Sequence, residues 1–195
     1  MARKVRAQGS ASVRKRPSSG SATRPAAASP GTTSLRTAVI GCGTFGTYHV
    51  RAYAEHPRSE LVLLCDLQES RARRLARRFG CDYTTRTAEV ARRDDIQAVS
   101  IATPDFAHTQ VALQMIRAGK HLLIEKPLAT TVREARRIVE AARRAGVRVM
   151  VDFHNRFSPP FVKAKEAVEA GTLGTVVSGF ARLSNRAVVP LKWLS

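Results

Sequence analysis

A doubly wound α/β fold, with a parallel sheet covered by helices on both faces, is predicted by three observations on the 195-residue chain. Short apolar runs alternate with amphipathic helical segments from Leu35 to Val151. A glycine cluster, Gly41-Cys42-Gly43-Thr44-Phe45-Gly46, joins the first run to the first helix. Three of the helical segments end on glycine, at Gly80, Gly119 and Gly146, and each then turns quickly into the next extended run. Strands separated by helices connect through right-handed crossovers, so they run parallel and are buried on both faces.

Taken in order, Arg36 to Ile40 reads as a strand. Thr44 to Glu55 reads as a helix stopped by Pro57, with Gly46, Val50, Tyr53 and Ala54 on one face. Leu61 to Cys65 is the second strand, and the next helix sets Ala72, Leu75, Ala76 and Phe79 at i, i+3, i+4 and i+7. Ala98 to Ala102 is a buried-type strand that leads through Thr103-Pro104-Asp105 into a helix carrying Val111, Ala112 and Met115. His121 to Ile124 follows as a strand. After Lys126 a capping box, Thr131 and Glu134, opens a helix whose core face is Val132, Ala135, Ile138, Val139 and Ala142. Val147 to Val151 closes the series, so residues 35–152 read as one doubly wound domain, expected to be a dinucleotide-binding Rossmann domain on the strength of the glycine cluster.

The flanks read differently. Residues 1–34 are Ala, Ser, Pro, Gly, Thr and basic side chains with little to bury, which predicts a disordered basic tail. Beyond Asp152, Pro159-Pro160 opens a helix through Ala170-Gly171, and Thr175 to Leu183 has the length of an extended strand. Residues 153–195 are therefore expected to begin a second α/β domain that is incomplete.

The formal charge of +18 raises a nucleic-acid reading, yet the tail alone holds seven of the 33 Lys and Arg and none of the 15 acids. Arg71, Arg73, Arg74, Arg77 and Arg78, like Arg136, Arg137, Arg143 and Arg144, fall largely on the polar sides of helices. No interleaved aromatics or nucleic-acid motif accompany them, so no specific nucleic-acid partner is expected. No apolar run approaches the roughly twenty residues of a membrane span. Cys42, Cys65 and Cys81 lack the paired spacing of a zinc site or disulfide framework, which predicts no metal and a reducing, cytoplasmic location.

In Gly41-x-Gly43-x-x-Gly46 the first glycine allows a tight turn, the second admits a pyrophosphate close to the backbone, and the third lets helix and strand pack. Thr44 and Phe45 complete this loop, and the helix amino terminus stabilises phosphate charge. Asp66 ends the second strand twenty residues after Gly46, where a carboxylate suits a free ribose diol and favours NAD; Arg71 leaves NADP open. Glu125-Lys126-Pro127 ends the strand His121 to Ile124, which puts an ammonium at the crevice where ligands of such sheets bind.

These motifs together resemble the Gfo/Idh/MocA oxidoreductases. The resemblance rests on the glycine fingerprint, Asp66, Ile101-Ala102-Thr103-Pro104 with His108, Ala118-Gly119-Lys120-His121 leading to Glu125-Lys126-Pro127, and Asp152 to Pro159; it covers about residues 36–195. It implies NAD(P)-dependent hydride transfer to or from the hydroxyl-bearing carbon of a sugar, inositol or related polyol. On the same footing, Thr103 and Pro104 line the nicotinamide half, and Glu125 and Lys126 border cofactor and substrate, with Lys126 as the catalytic side chain. His108 either approaches the cofactor or packs in the first turn of its helix. His154 and Arg156 fall on the substrate side or at the domain junction.

The family continues into a domain whose acid-x-x-x-His motif supplies the usual general acid/base, whereas no histidine follows His154 here. The resemblance thus implies a truncated copy, a partial sequence or a pseudoenzyme, with little turnover by these 195 residues alone and a homo-oligomer for the full-length protein. Two other function classes compete: a catalytically inactive nucleotide- or partner-binding module, and a basic nucleic-acid-binding protein.

Overall fold

Six strands, the central ones buried on both faces, make a single sheet, seen in a computed structural model that describes residues 34–182. The tail expected over 1–34 lies, Ser34 apart, outside the described residues, as do residues 183–195. The elements run β1 (Leu35–Ile40), α1 (Thr44–Glu55), β2 (Ser59–Cys65), α2 (Glu69–Phe79), β3 (Asp82–Thr84), α3 (Thr87–Arg92) and β4 (Ala98–Ile101). They continue with α4 (Asp105–Arg117), β5 (His121–Glu125), α5 (Val132–Ala145), β6 (Val149–Asp152), a 3-10 turn (His154–Phe157) and α6 (Pro159–Glu169).

The strand order is β3-β2-β1-β4-β5-β6 and every neighbouring pair is parallel. This is the doubly wound order, with its reversal between β1 and β4, and ligands of such sheets bind outside the carboxyl ends of the strands at that reversal. Ala38, Ile40, Leu63, Val99, Ile101 and Ile124 point to one face, under α3, α4 and α5. Val39 and Leu64 point to the other, where Val50 of α1 and Ala72, Leu75 and Ala76 of α2 cover them. Each such side chain contributes roughly 1.5–3 kcal/mol on leaving water. The β1–β2 register shifts at Thr37/Ala38, so that Val62 is extra in β2 and shares a cluster with its neighbour Leu63.

Helix ends follow the predicted signals. Gly80 and Gly146 close α2 and α5 in the left-handed conformation, at φ of 68° and 65°. The Thr131 hydroxyl accepts from the Glu134 amide at 3.2 Å while Thr130 and Thr131 donate to the Glu134 carboxylate. Those donors, Thr130 first, hold the Glu134 carboxyl below its ordinary range. All nine arginines singled out on α2 and α5 are exposed, as a solvated helix face requires.

Two elements escaped the sequence reading. Strand β3 has three residues and α3 six, too few to complete a visible period. They exist because β2 offers an open edge to Asp82–Thr84 and because Val90 is buried completely. One expectation is overturned: residues 175–182 form no strand, and Leu183 lies outside the described residues. An extended run needs a neighbour for its backbone groups, and among the described residues none pairs with it.

The chain divides after Asp152. The second unit, from Phe153, has the 3-10 turn and α6, which starts on Pro159 as a helix tolerates proline in its first turn. None of its described residues is buried, and Phe157, Phe161, Val177 and Phe180 are exposed. Among the described residues no helix is long and apolar enough to cross a membrane.

Candidate active site

The three glycines have three different reasons. Gly41 adopts φ +96°, and a Cβ there would strike the Ala102 carbonyl, lying 2.6 Å from its carbon and 2.9 Å from the Thr103 nitrogen. A Cβ on Gly46 would overlap the Gly41 carbonyl oxygen. Gly43 is unlike both, because a Cβ there meets nothing within 4 Å. The protein's own packing therefore demands glycine at 41 and 46 and leaves 43 open, as a ligand that approaches the backbone would require.

Gly43 is also the N-cap of α1, with no side-chain cap and no acidic residue in the first turn. The first N–H groups of a helix have no partner inside it, and the helix dipole adds positive potential, so this end can seat an anion. Asp66, just past β2, supports the loop. Its Oδ2 accepts the Cys42 amide at 2.7 Å and its Oδ1 the Gln68 amide at 2.8 Å. Each carboxylate oxygen keeps a lone pair for a further donor. Burial first, and the Asp66 charge second, push the thiols of Cys42 and Cys65 up to about 12, so both remain neutral packing groups. None of the three cysteines is in a disulfide, and all are buried.

Across the reversal, Thr103 and Pro104 connect β4 to α4, and Pro104 is the N-cap of that helix. The Thr103 Oγ1 is buried without a hydrogen-bond partner, an acceptor and donor left for something outside the chain. His108 is 1% exposed, with Nδ1 2.8 Å from the Pro127 carbonyl and Nε2 3.0 Å from the Thr103 carbonyl. Its ring thus touches the crevice only through the two loops that it braces.

Lys126 is exposed at the end of β5, and its peptide bond to Pro127 is cis. Its Nζ lies 5.7 Å from the centre of the Phe45 ring, in the first turn of α1. The structure therefore brings the two motifs together, ammonium over the glycine-loop helix, although eighty positions separate Lys126 from Gly46. An ammonium and an anion seat on one crevice suit a negatively charged ligand whose reacting end develops charge on oxygen.

His49 was missed. It is 7% exposed on α1, with Nδ1 2.8 Å from the Ser100 hydroxyl, and Nε2 3.1 Å from Glu125 Oε1 and 3.5 Å from Asp152 Oδ2. Nε2 faces carboxylates, so it carries a proton and donates. Glu125 Oε2 accepts the Lys126 amide at 3.2 Å. Burial raises the Tyr53 phenol, which the same Ser100 hydroxyl partly offsets. Among the described residues His49, Glu125 and Asp152 are the set with metal-ligand chemistry, their atoms within 4.8 Å of one another. The sequence signal was positional: residue 49 stands three after Gly46 and one before Val50, on the face predicted to be buried.

His154 and Arg156 lie in the second unit, both exposed in the 3-10 turn, with the Arg156 guanidinium 5.3 Å from the Phe153 ring centre.

Known proteins match the chain in sequence and in fold. Residues 35–153 fit the model of an oxidoreductase family with an NAD-binding Rossmann fold, Gfo/Idh/MocA. Inositol 2-dehydrogenase of Rubrobacter xylanophilus is 36% identical over 141 residues, covering 71% of this chain and 41% of that protein. The scyllo-inositol 2-dehydrogenase (NAD(+)) of Bacillus subtilis is 32% identical over 152 residues, covering 76% and 44%. The crystal structure of GenD2, from gentamicin A biosynthesis, in complex with NAD superposes with a TM-score of 0.71 at 33% identity, covering 74% of this chain and 42% of that one. The chain spans roughly two-fifths of the length of these relatives. By fold, by motif and by the extent of the match, it belongs to the Gfo/Idh/MocA oxidoreductase family.

Proposed function

We propose that this chain is the cofactor-binding part of an NAD-dependent dehydrogenase acting on a hydroxyl-bearing sugar, inositol or related polyol. The observation that carries the reading is Lys126 Nζ standing over Phe45, beside an α1 amino terminus whose Gly43 leaves room for a ligand. The residues fit the dinucleotide as a set. Gly41, Gly43, Thr44, Phe45 and Gly46 hold the pyrophosphate, Asp66 accepts from the adenosine ribose, and Thr103 and Pro104 line the nicotinamide half with Glu125 and Lys126.

When bound, the nicotinamide accepts or returns the hydride. Lys126 would place positive charge at the reacting oxygen and stabilise the alkoxide that forms as the O–H proton passes to water. Glu125 fixes the Lys126 amide, and Asp66 disfavours a 2′-phosphate by charge, which selects NAD over NADP. Names of relatives support the substrate class: two of them are inositol dehydrogenases. Three cysteines outside any disulfide support a reducing, cytoplasmic setting, and the full-length protein is read as a homo-oligomer with His154 and Arg156 toward its substrate.

The specificity test is direct. Asp66→Ala is expected to narrow the NADH over NADPH affinity ratio by about tenfold, read by fluorescence titration. An unchanged ratio removes Asp66 from the ribose, and absence of binding of either nucleotide to folded protein removes the functional reading.

A further inference from the structure

Lys126 stands between two residues that are each held by a histidine, and neither histidine belongs to its strand. On one side is Glu125, whose Oε1 takes Nε2 of His49 from α1 and whose Oε2 takes the Lys126 amide. His49 is anchored in turn by Ser100 of β4 at 2.8 Å. On the other side is Pro127, whose carbonyl lies 2.8 Å from His108 of α4, while that ring also reaches the Thr103 carbonyl after β4. Both imidazoles are nearly excluded from solvent, at 7% and 1% exposure. His49 therefore hydrogen-bonds across from β4 to β5, and His108 is packed between the carbonyls that follow those two strands, with its ring N–H donated to one of them.

We infer that His49 and His108 are a pair of positioning residues that clamp the Glu125-Lys126-Pro127 turn against the end of β4 and so aim the Lys126 ammonium. The inference deepens the proposed function and rests on it for the role of Lys126. Its physical basis is the geometry of the turn. Lys126 makes no ion pair among the described contacts, and a four-carbon chain aims poorly unless its backbone is fixed. The Glu125 carboxylate is buried and would drift or draw in water without a donor on its outer oxygen. His49 supplies that donor from the helix whose amino terminus is the anion seat, so one element positions both ends of the crevice. Asp152, 3.5 Å from the same Nε2, extends the clamp to the last residue of β6.

Amide hydrogen exchange measured by NMR on the protein and on His49→Asn and His108→Asn tests the clamp without any cofactor. The Lys126 amide is expected to exchange at least about tenfold faster in His49→Asn and in His108→Asn, while amides of β1 stay within about twofold. Acceleration spread evenly over β1 marks a general loss of stability and overturns the inference, as does no change at the Lys126 amide in either variant. Should His49→Asn not fold, Ser100→Ala withdraws only the anchor of the ring and is expected to give the same local pattern at smaller size; an unaltered Lys126 amide there overturns it. In the full-length enzyme, on a sugar or inositol that it oxidises, both asparagine variants should lose about tenfold or more in kcat with KM little changed. In a Lys126→Ala background they should lose nothing further, since the clamp then has no amine to aim. Equal losses with and without Lys126 contradict it. Failure of the wild type to bind NADH would strike the proposed function, whereas the exchange pattern would still decide the clamp. Elemental analysis finding one divalent metal per chain, lost in His49→Asn, would replace the hydrogen-bonded clamp by a metal site.

Discussion

The two sides of the crevice are built by opposite means. On the β1–α1 side the site consists of missing side chains: Gly41 and Gly46 are bare because backbone from Ala102 and from Gly41 itself fills their space, and Gly43 is bare with nothing near it. On the β4–β5 side it consists of buried polar side chains, Ser100, His49, Glu125 and His108, drawn from four elements to hold one turn. A backbone site is written in a few consecutive residues, whereas a side-chain site is written in positions scattered over the chain.

The contrast can be broken first at Gly46. Gly46→Ala should destabilise the fold by about 3 kcal/mol or more, because the added carbon meets a carbonyl oxygen that cannot move without β1. Urea unfolding would read it as a lower midpoint at unchanged slope; wild-type stability would mean that the loop is loosely packed. On the opposite side, Lys126→Ala should leave stability within about 0.5 kcal/mol while lowering kcat of the full-length enzyme by roughly a hundredfold. Equal kcat would deny the lysine a role in the reaction.

Gly43→Ala sharpens the comparison within the loop. It is expected to change stability by less than about 1 kcal/mol, since no protein atom opposes the methyl, while weakening NADH about tenfold. A variant that loses stability and keeps NADH affinity would reverse the assignment of Gly43 to a ligand. The smallest effect concerns the thiols. Folded pKa values raised from 9.0 to about 12 mean that Cys42 and Cys65 stabilise the fold fully below pH 9 and progressively less as pH rises toward 12. Stability should therefore be flat in this respect near pH 8 and decline above pH 9, with a shallower decline in Cys42→Ala. Labelling by a disulfide reagent at pH 8 should require unfolding.

The same contrast explains what could be read from residues alone. The glycine loop, Asp66 and the Glu125-Lys126-Pro127 turn were legible because each is local and carries its own chemical reason. His49 and Ser100 were not, since a polar residue on an apolar face or inside an apolar strand declares no partner until the sheet is folded. Strand β3 and helix α3 were hidden by shortness, and their existence depends on the open edge of β2. Thr175 to Leu183 erred the other way: its composition suits a strand, but extended backbone is stabilised by a neighbour and not by composition. His108 lay between two readings, and the folded chain packs it between the Pro127 and Thr103 carbonyls.

The central claim is that the open space at Gly43 and the ammonium of Lys126 belong to one dinucleotide site. Calorimetric titration of NADH into the folded protein, beside Gly43→Ala, measures it most directly. One NADH per chain, with about tenfold weaker binding in the variant, is the predicted result. A folded protein that takes up neither NADH nor NADPH, or an alanine variant that binds as tightly as the wild type, would contradict it.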